Sequence, residues 1–261
     1  MKDRISNLTV FLFCLAVYTA SPGGSFVILC VSLWYLRAKK SLPPQRHFIV
    51  DVLLTAFVLR AAALAVMSFV YILQGRVLTY TIYPGWTPNL IGDASYYTLR
   101  GYWIAAHWAG ADVSGQILKA AFNPIYGWTG YTYVVAAFHY LFGFSPVSSV
   151  LVNCCCALLS GFFAYSLARE YLSERISRLT ALLVLFFPSM FLWSITNLKD
   201  TSMIMISLFI LWAYVKQFRA KGRRRIALFV LMFIGTVLLS TIRKHFGILM
   251  AASIVVSLVF A

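Results

Sequence analysis

The chain carries few side chains that can act as an acid or a base, and its carboxylates are the most informative of them. A positioned carboxylate is a common general base for the proton of a substrate hydroxyl. The seven acidic residues are Asp3, Asp51, Asp93, Asp112, Glu170, Glu174 and Asp200. Which of them can reach a substrate depends on the elements that carry them.

Asp93 opens a helical pattern. Tyr96, Tyr97 and Arg100 follow it at offsets of 3, 4 and 7, which places all four residues on one helix face. An Asp at the start of a helix is also a good N-cap. Asp93 is therefore either a cap or, with its second oxygen turned into a cavity, a candidate catalytic base.

Lys199 and Asp200 form an adjacent pair between two apolar runs. One interpretation is a solvated helix end with a snorkelling lysine. The other is a functional pair, because very few further charges lie in this part of the sequence. Asp112 lies instead among small residues, in the stretch Ala-Gly-Ala-Asp-Val-Ser-Gly, which predicts an exposed turn.

The composition indicates that these residues belong to a membrane protein. The chain is 61% hydrophobic and only 11% charged, whereas a soluble domain has about 25% charged residues. Apolar runs recur along its whole length, which predicts an all-α, polytopic transmembrane bundle of about seven to nine spans. The net charge of +15 does not indicate nucleic-acid binding, because the basic residues cluster between the apolar runs. All five cysteines lie in apolar runs, so no metal, other cofactor or disulfide is expected.

Nine apolar segments follow one another along the chain. They are residues 5–20, 24–37, 48–74, 127–143, 147–168, 179–197, 202–215, 226–242 and 246–261. The turn signal Ser-Pro-Gly-Gly separates the first two, which form a hairpin or, less favoured here, one broken helix. We therefore expect a hydrophobic hairpin with a basic loop in residues 1–47 and a transmembrane module in residues 48–261. Because the last run has no polar end, we expect the bundle to continue beyond Ala261.

Three basic loops set the predicted orientation. They lie in residues 37–46, 169–178 and 216–225, and the positive-inside rule places all three in the cytoplasm. The segment 127–143 then cannot be a simple span, because the spans on either side of it already cross in opposite directions. We expect it to be an interfacial or re-entrant helix of the outer face, inside an external loop of residues 75–146.

This orientation places Asp93, Asp112 and Asp200 on the outer side. The cations expected there are Arg100, Lys199, Arg243 and Lys244. Arg243 and Lys244 are either a snorkelling helix-end pair or ligands of an anion. Arg60 falls near the middle of a span, where a charge is a candidate functional residue unless it pairs inside the bundle or snorkels. His107 and His139 lack a partner at ligand spacing and are expected to be packing or interfacial residues.

An ordered set of short motifs runs through residues 91–215. The motifs are Asp93 with Tyr97, Asn123-Pro124-Ile125-Tyr126, Leu141-Phe142-Gly143, Leu167-Ala168-Arg169, and a span with Pro188 that leads to Asp200. In this order they resemble the first catalytic module of the GT-C superfamily, membrane glycosyltransferases that take sugars from polyprenyl-linked donors. Lys199-Asp200 departs from the Asp-x-Asp of oligosaccharyltransferases in this superfamily, which argues against a metal site.

The resemblance implies a glycosyltransferase that uses a polyprenyl-phosphate sugar donor and a glycan, lipid or protein acceptor at the extracytoplasmic face. It implies that Asp93 is the general base of an inverting displacement. The substrate-binding residues that we expect are Tyr97, Arg100, Tyr126, Lys199, Asp200, Arg243 and Lys244. No sorting signal is visible, so we expect a bacterial cytoplasmic membrane. A transporter or flippase of a lipid-linked glycan, a glycan polymerase and a non-catalytic assembly subunit are the alternatives.

Overall fold

The computed structural model describes residues 22–43, 46–73, 94–122, 130–144 and 146–259. These residues form eleven helices and no strands, as the composition predicted. The helices are α1 (Pro22–Ser41), α2 (His47–Leu73), α3 (Ala94–Trp108), α4 (Gly115–Phe122), α5 (Gly130–Phe142), α6 (Pro146–Tyr171), α7 (Glu174–Phe186), α8 (Pro188–Ser194), α9 (Lys199–Arg219), α10 (Arg223–Ile242) and α11 (Lys244–Val259). The first apolar segment of the predicted hairpin, residues 5–20, lies outside the described residues.

Fewer helices of the described residues qualify as membrane spans than the sequence predicted. Four are long and apolar enough, and α7 with α8 makes a fifth if this bent pair counts as one span. The prediction of about seven to nine spans counted every apolar segment of the whole chain, and the described residues confirm it only in part. In the structure α5 has 13 residues and the apolar part of α11 has fewer than 18.

Helix α6 is the centre of the bundle. In its most apolar stretch 72% of the residues are buried, compared with 28% to 39% in the other three candidate spans. It packs against α7 where Gly161 faces Leu185, and a side chain at Gly161 would come within 2.6 Å of that leucine. Large apolar side chains of α10, such as Phe233 and Ile226, are exposed, as expected for a surface that faces lipid.

The three basic loops meet at one end of the bundle, which we call the basic end. The guanidinium of Arg178 lies 4.8 Å from the ring centre of Phe48, which joins the first loop to the second. Glu170 pairs with Lys216 and Arg219, which joins the second loop to the third. The loops therefore share one side, as the charge pattern required.

Helix α5 lies across the opposite end, which we call the Lys199 end because Lys199 begins α9 there. Gly130, its first residue, contacts Thr241 near the end of α10. Its last residue, Phe142, stacks on Phe26 near the start of α1, with ring centres 5.3 Å apart. Because both neighbours lie at this end, α5 crosses the bundle end instead of spanning the bundle. Its place as an interfacial or re-entrant helix of the outer face stays a prediction.

A break separates α7 from α8. The axes of the two helices differ by 52°, and Pro188 is at the first position of α8. Proline has no amide hydrogen to donate, so the helix ends at the residue before it and restarts. The break directs α8 and the turn after it towards α3, α5 and α6.

Candidate functional site at the Lys199 end

Helix α3 follows the predicted base, Asp93, directly in the sequence. Helix α3 begins at Ala94, directly after Asp93, and both Asp93 and Tyr126 lie outside the described residues. The helix that Asp93 was predicted to begin is therefore present from Ala94 onwards. The roles of these two residues stay predictions.

Tyr97 connects α3 to the start of α9. Its side chain is buried, and its ring meets the ring of Tyr131 edge to face at a centre distance of 5.5 Å. The Lys199 ammonium lies 5.4 Å from the centre of the Tyr97 ring. A cation over an aromatic face is attracted by about 0.5–2 kcal/mol. The structure thus brings together Tyr97 and Lys199, two of the predicted site residues.

Asp200 lines a groove of about 630 Å³ between α7, α8, α9 and the start of α11. The other ionisable group in its lining is Arg243. The apolar part of the lining consists of Leu183, Val184, Phe187, Met190, Trp193, Met203, Ile204, Leu208 and Phe246. At a rise of about 1.5 Å per residue, the lining from Asp200 to Leu208 extends about 12 Å along α9. The groove is apolar over most of its surface and charged near the Lys199 end.

Asp200 differs from most of the other described acidic residues. It is half-buried, and no ion pair to it is found among the described residues, whereas Asp51, Glu170 and Glu174 are all paired. Asp112 also lacks an ion pair in this part of the chain, but it is exposed in a loop, as predicted. A half-buried carboxylate beside an apolar groove is available to a ligand in a way that a paired one is not.

Arg243 and Lys244 lie at the junction of α10 and α11. Both are exposed, and the Arg243 guanidinium lies 5.7 Å from the ring centre of Phe246. This contact keeps Arg243 at the charged end of the groove. The structure therefore brings Arg243 and Asp200 into one lining and places Lys244 next to it in sequence.

Arg100 faces a different neighbour. Its Nε donates a hydrogen bond to the carbonyl of Ala121 at 2.8 Å, and its guanidinium lies 4.9 Å from the ring centre of Tyr96. The side chain is buried, and its Nη1 has no hydrogen-bond partner. These contacts tie α3 to α4, away from Lys199 and Asp200, so a role in binding phosphate stays a prediction.

Arg60 is fully buried and does not snorkel. It donates to the hydroxyl of Ser194 at 2.7 Å and to the carbonyls of Ala56 and Leu185. Its guanidinium also lies 4.9 Å from the ring centre of Phe191. These contacts fasten α2 to both sides of the break between α7 and α8.

The two histidines take packing positions. His107 is exposed near the ring of Phe122. His139 is buried beside Phe144 with no hydrogen-bond partner on either ring nitrogen, and this burial lowers the pKa of its imidazole to about 4. Within the described ranges, no three His, Cys, Asp or Glu side chains are grouped closely enough to hold a metal.

Three buried polar residues at this end were not singled out in the sequence. Tyr131, Asn153 and Asn197 are each at most 4% exposed. Burial raises the pKa of Tyr131, so its hydroxyl stays protonated and can donate. The sequence offered one signal that could have found them, the lone Asn153 inside the apolar segment 147–168. A polar residue in a membrane bundle usually has a partner or a function.

The apolar helices define an integral membrane protein. The family model of dolichyl-phosphate-mannose-protein mannosyltransferases matches residues 129–261, about half of the chain. The chain belongs to this family and is a membrane glycosyltransferase of the mannosyltransferase type. The match includes Lys199, Asp200, Arg243 and Lys244, and it begins after Asp93. No curated protein and no solved structure matches the chain.

Proposed function

We propose that the chain transfers a sugar from a polyprenyl-phosphate donor to an acceptor hydroxyl at the extracytoplasmic face of a bacterial cytoplasmic membrane. The observation that carries this proposal is the groove of about 630 Å³, which is apolar along α9 and has Asp200 and Arg243 in its lining. A lipid-linked sugar phosphate has the same division, with an apolar tail and a charged head. The family to which the chain belongs supports the same reaction class.

The tail of the donor occupies the apolar part of the groove. Large apolar side chains such as Leu183, Phe187 and Leu208 line it, and burying apolar surface contributes about 25 cal/mol per Å². The donor phosphate lies at the charged end near Arg243 and Lys244, and Lys199 is the third cation of that region. Positive charge near a phosphate leaving group stabilises the negative charge that develops as its bond to the sugar breaks.

The reaction is one displacement at the anomeric carbon. The acceptor oxygen forms a bond to that carbon while the bond to the donor phosphate oxygen breaks, so the configuration inverts. Asp93 takes the proton of the acceptor hydroxyl, and polyprenyl phosphate leaves with the bonding electron pair. A positioned base contributes about 10²–10⁴-fold to such a rate. Asp200 either orients Lys199 or binds the sugar, and Tyr97 and Tyr126 are further candidates for substrate binding.

The pool of polyprenyl-phosphate sugars in cells tests this proposal. We compare cells that make the wild-type chain with cells that make Asp93→Asn at equal abundance in the membrane. One sugar carrier is expected to accumulate in the variant while its glycan product disappears, and the carrier that accumulates identifies the donor. Asp112→Asn is the matched control, because Asp112 is an exposed loop residue, and it should leave both pools unchanged.

The proposed chemistry is contradicted if both pools are unchanged in Asp93→Asn, provided that a separate assay shows that the wild-type protein is functional. In that case Asp93 is a helix cap. A transporter or an assembly subunit then becomes the better interpretation, since neither function needs a base at that position.

A further inference from the structure

Lys199 and Asp200 begin helix α9, and the segment before them is short and turns sharply. Helix α8 has seven residues, and residues 195–198 form a turn between α8 and α9. The last carbonyls of any helix lack partners within the helix. A turn of this kind holds one conformation only if side chains from elsewhere supply those partners.

Asn153 supplies them from the central helix α6. Its side-chain amide donates to the carbonyls of Trp193, Thr196 and Leu198 at 3.1, 2.7 and 2.9 Å. The amide has two hydrogens, so one of them is shared between two carbonyls. Asn153 is 1% exposed, so these hydrogen bonds are shielded from bulk solvent. One side chain thus binds the end of α8 and the residue directly before Lys199.

Asn197 fixes the same turn in the other direction. Its carbonyl oxygen accepts from the Tyr131 hydroxyl at 2.6 Å, and its amide donates to the hydroxyls of Thr98 and Ser149 at 2.8 and 3.1 Å. These partners lie on α5, α3 and α6. Asn197 is fully buried, so one amide joins three helices to the turn that precedes Lys199.

We infer that Asn153 and Asn197 are positioning residues of the transferase, which hold the turn of residues 195–198 so that Lys199 and Asp200 face the donor. The inference rests on the proposed function for the role of Lys199 and Asp200. Neither asparagine touches substrate in this account. Each acts through the turn, and misplacing a reacting group by about 1 Å can lower a rate about 10²-fold.

The two asparagines differ in a way that a test can use. The partners of the Asn153 amide nitrogen are carbonyls, which can only accept, so Asn153→Asp places acceptor against acceptor. The carbonyl oxygen of Asn197 instead accepts from the Tyr131 hydroxyl. The introduced carboxylate of Asn197→Asp still accepts that bond, whereas Asn197→Leu loses all three bonds. A role in packing alone predicts no such difference between the two sites.

The experiment compares Asn153→Leu, Asn153→Asp, Asn197→Leu and Asn197→Asp with wild type in lipid nanodiscs. A membrane-impermeant amine reagent modifies Lys199, and mass spectrometry measures the rate of modification at that residue. The rate is expected to rise about tenfold in Asn153→Leu, Asn153→Asp and Asn197→Leu, because each loses hydrogen bonds that hold the turn. It is expected to stay near the wild-type rate in Asn197→Asp.

Transfer of labelled mannose from polyprenyl-phosphate mannose is measured in membranes that hold the same variants. The three variants with fast modification should lose about 10²-fold in kcat, and Asn197→Asp should retain most of the activity. Gln217→Met is the matched control. Gln217 is a buried amide on α9, the helix that begins with Lys199, and its Nε2 has no hydrogen-bond partner. It should change neither quantity.

Equal modification rates in all folded variants overturn the inference, and so does fast modification with full activity. If Asn153→Leu does not fold, the contrast between the two Asn197 variants decides, because only one of them loses all three bonds. A wild-type chain without transferase activity contradicts the proposed function. In that case the modification rates still show whether the asparagines hold the turn.

Discussion

The two ends of the bundle use their charges differently. At the basic end, Glu174 pairs with Arg169 and Arg178 at 2.9 and 3.0 Å, and Glu170 pairs with two cations of α9. At the Lys199 end, Asp200 has no ion pair among the described residues, and Arg243 and Lys244 are exposed. Charge joins helices at one end and lines a groove at the other.

The difference shows how a carboxylate that stabilises the fold can be distinguished from one that is available to a ligand. A carboxylate bound to two cations already has its partners, so its removal affects stability first. A half-buried carboxylate in the lining of an apolar groove lacks them, so its removal affects ligand binding or turnover first. At the Lys199 end the structural contacts are made by neutral groups instead, since the amides of Asn153 and Asn197 hold the turn of residues 195–198. The charges of that end are left to line the groove.

Among the described residues of the two ends, the largest effect is expected for Asp200→Asn. The change keeps the shape of the side chain and removes its charge from the groove, so transfer should fall on the order of 10²-fold while the thermal unfolding temperature changes little. The measurement is mannose transfer in membranes together with thermal unfolding of the purified protein. A variant that unfolds early and keeps its activity per folded molecule would place Asp200 with the structural charges of the basic end.

Lowering the pH should destabilise the Lys199 end through His139. Burial holds the pKa of this imidazole at about 4, whereas an unfolded His titrates near 6.5. The unfolded state therefore binds more protons between pH 6.5 and pH 4, and stability falls across that window by about 2–3 kcal/mol. Thermal unfolding at a series of pH values measures this fall.

His139→Gln is the matched variant for the pH series. It removes the titrating group, so the part of the acid dependence between pH 6.5 and pH 4 should disappear. An unchanged slope in His139→Gln shows that other groups cause the acid sensitivity.

The smallest effect is expected for Glu170→Gln at the basic end. This change removes the negative charge between Lys216 and Arg219 and leaves one oxygen to accept from them. The loss is about 1–2 kcal/mol of stability because part of the cluster is exposed to water. Activity per folded molecule should stay at the wild-type level. A large loss of transfer in a folded Glu170→Gln protein breaks the comparison between the two ends.

The sequence predicted the features that follow from apolar length and charge placement. The basic loops had to share one side, which required α5 to lie across the opposite end, and both features are found. The break at Pro188 follows from the missing amide hydrogen of proline. The number of spans is confirmed only in part by the described residues, because segment length alone does not separate a helix that crosses the bundle from one that lies across its end.

The partners of the buried amides could not be predicted. Asn153 reaches carbonyls 40 to 45 residues further along the chain, and such contacts depend on how α6, α8 and α9 pack. The meeting of Tyr97 with Lys199 has the same origin. A resemblance could name both residues as site residues, but only the packing of the helices shows that they are neighbours.

The most direct test of the central claim compares Asp93, the predicted base, with a carboxylate of the basic end. Membranes that contain the native acceptor receive polyprenyl-phosphate mannose with a labelled sugar, and the label that reaches the acceptor is counted. Asp93→Asn should reduce transfer by about 10²–10⁴-fold, while Asp51→Asn, which only removes the ion pair with Lys39 at the basic end, should keep it. Equal transfer by the two variants at equal abundance would contradict catalysis by Asp93.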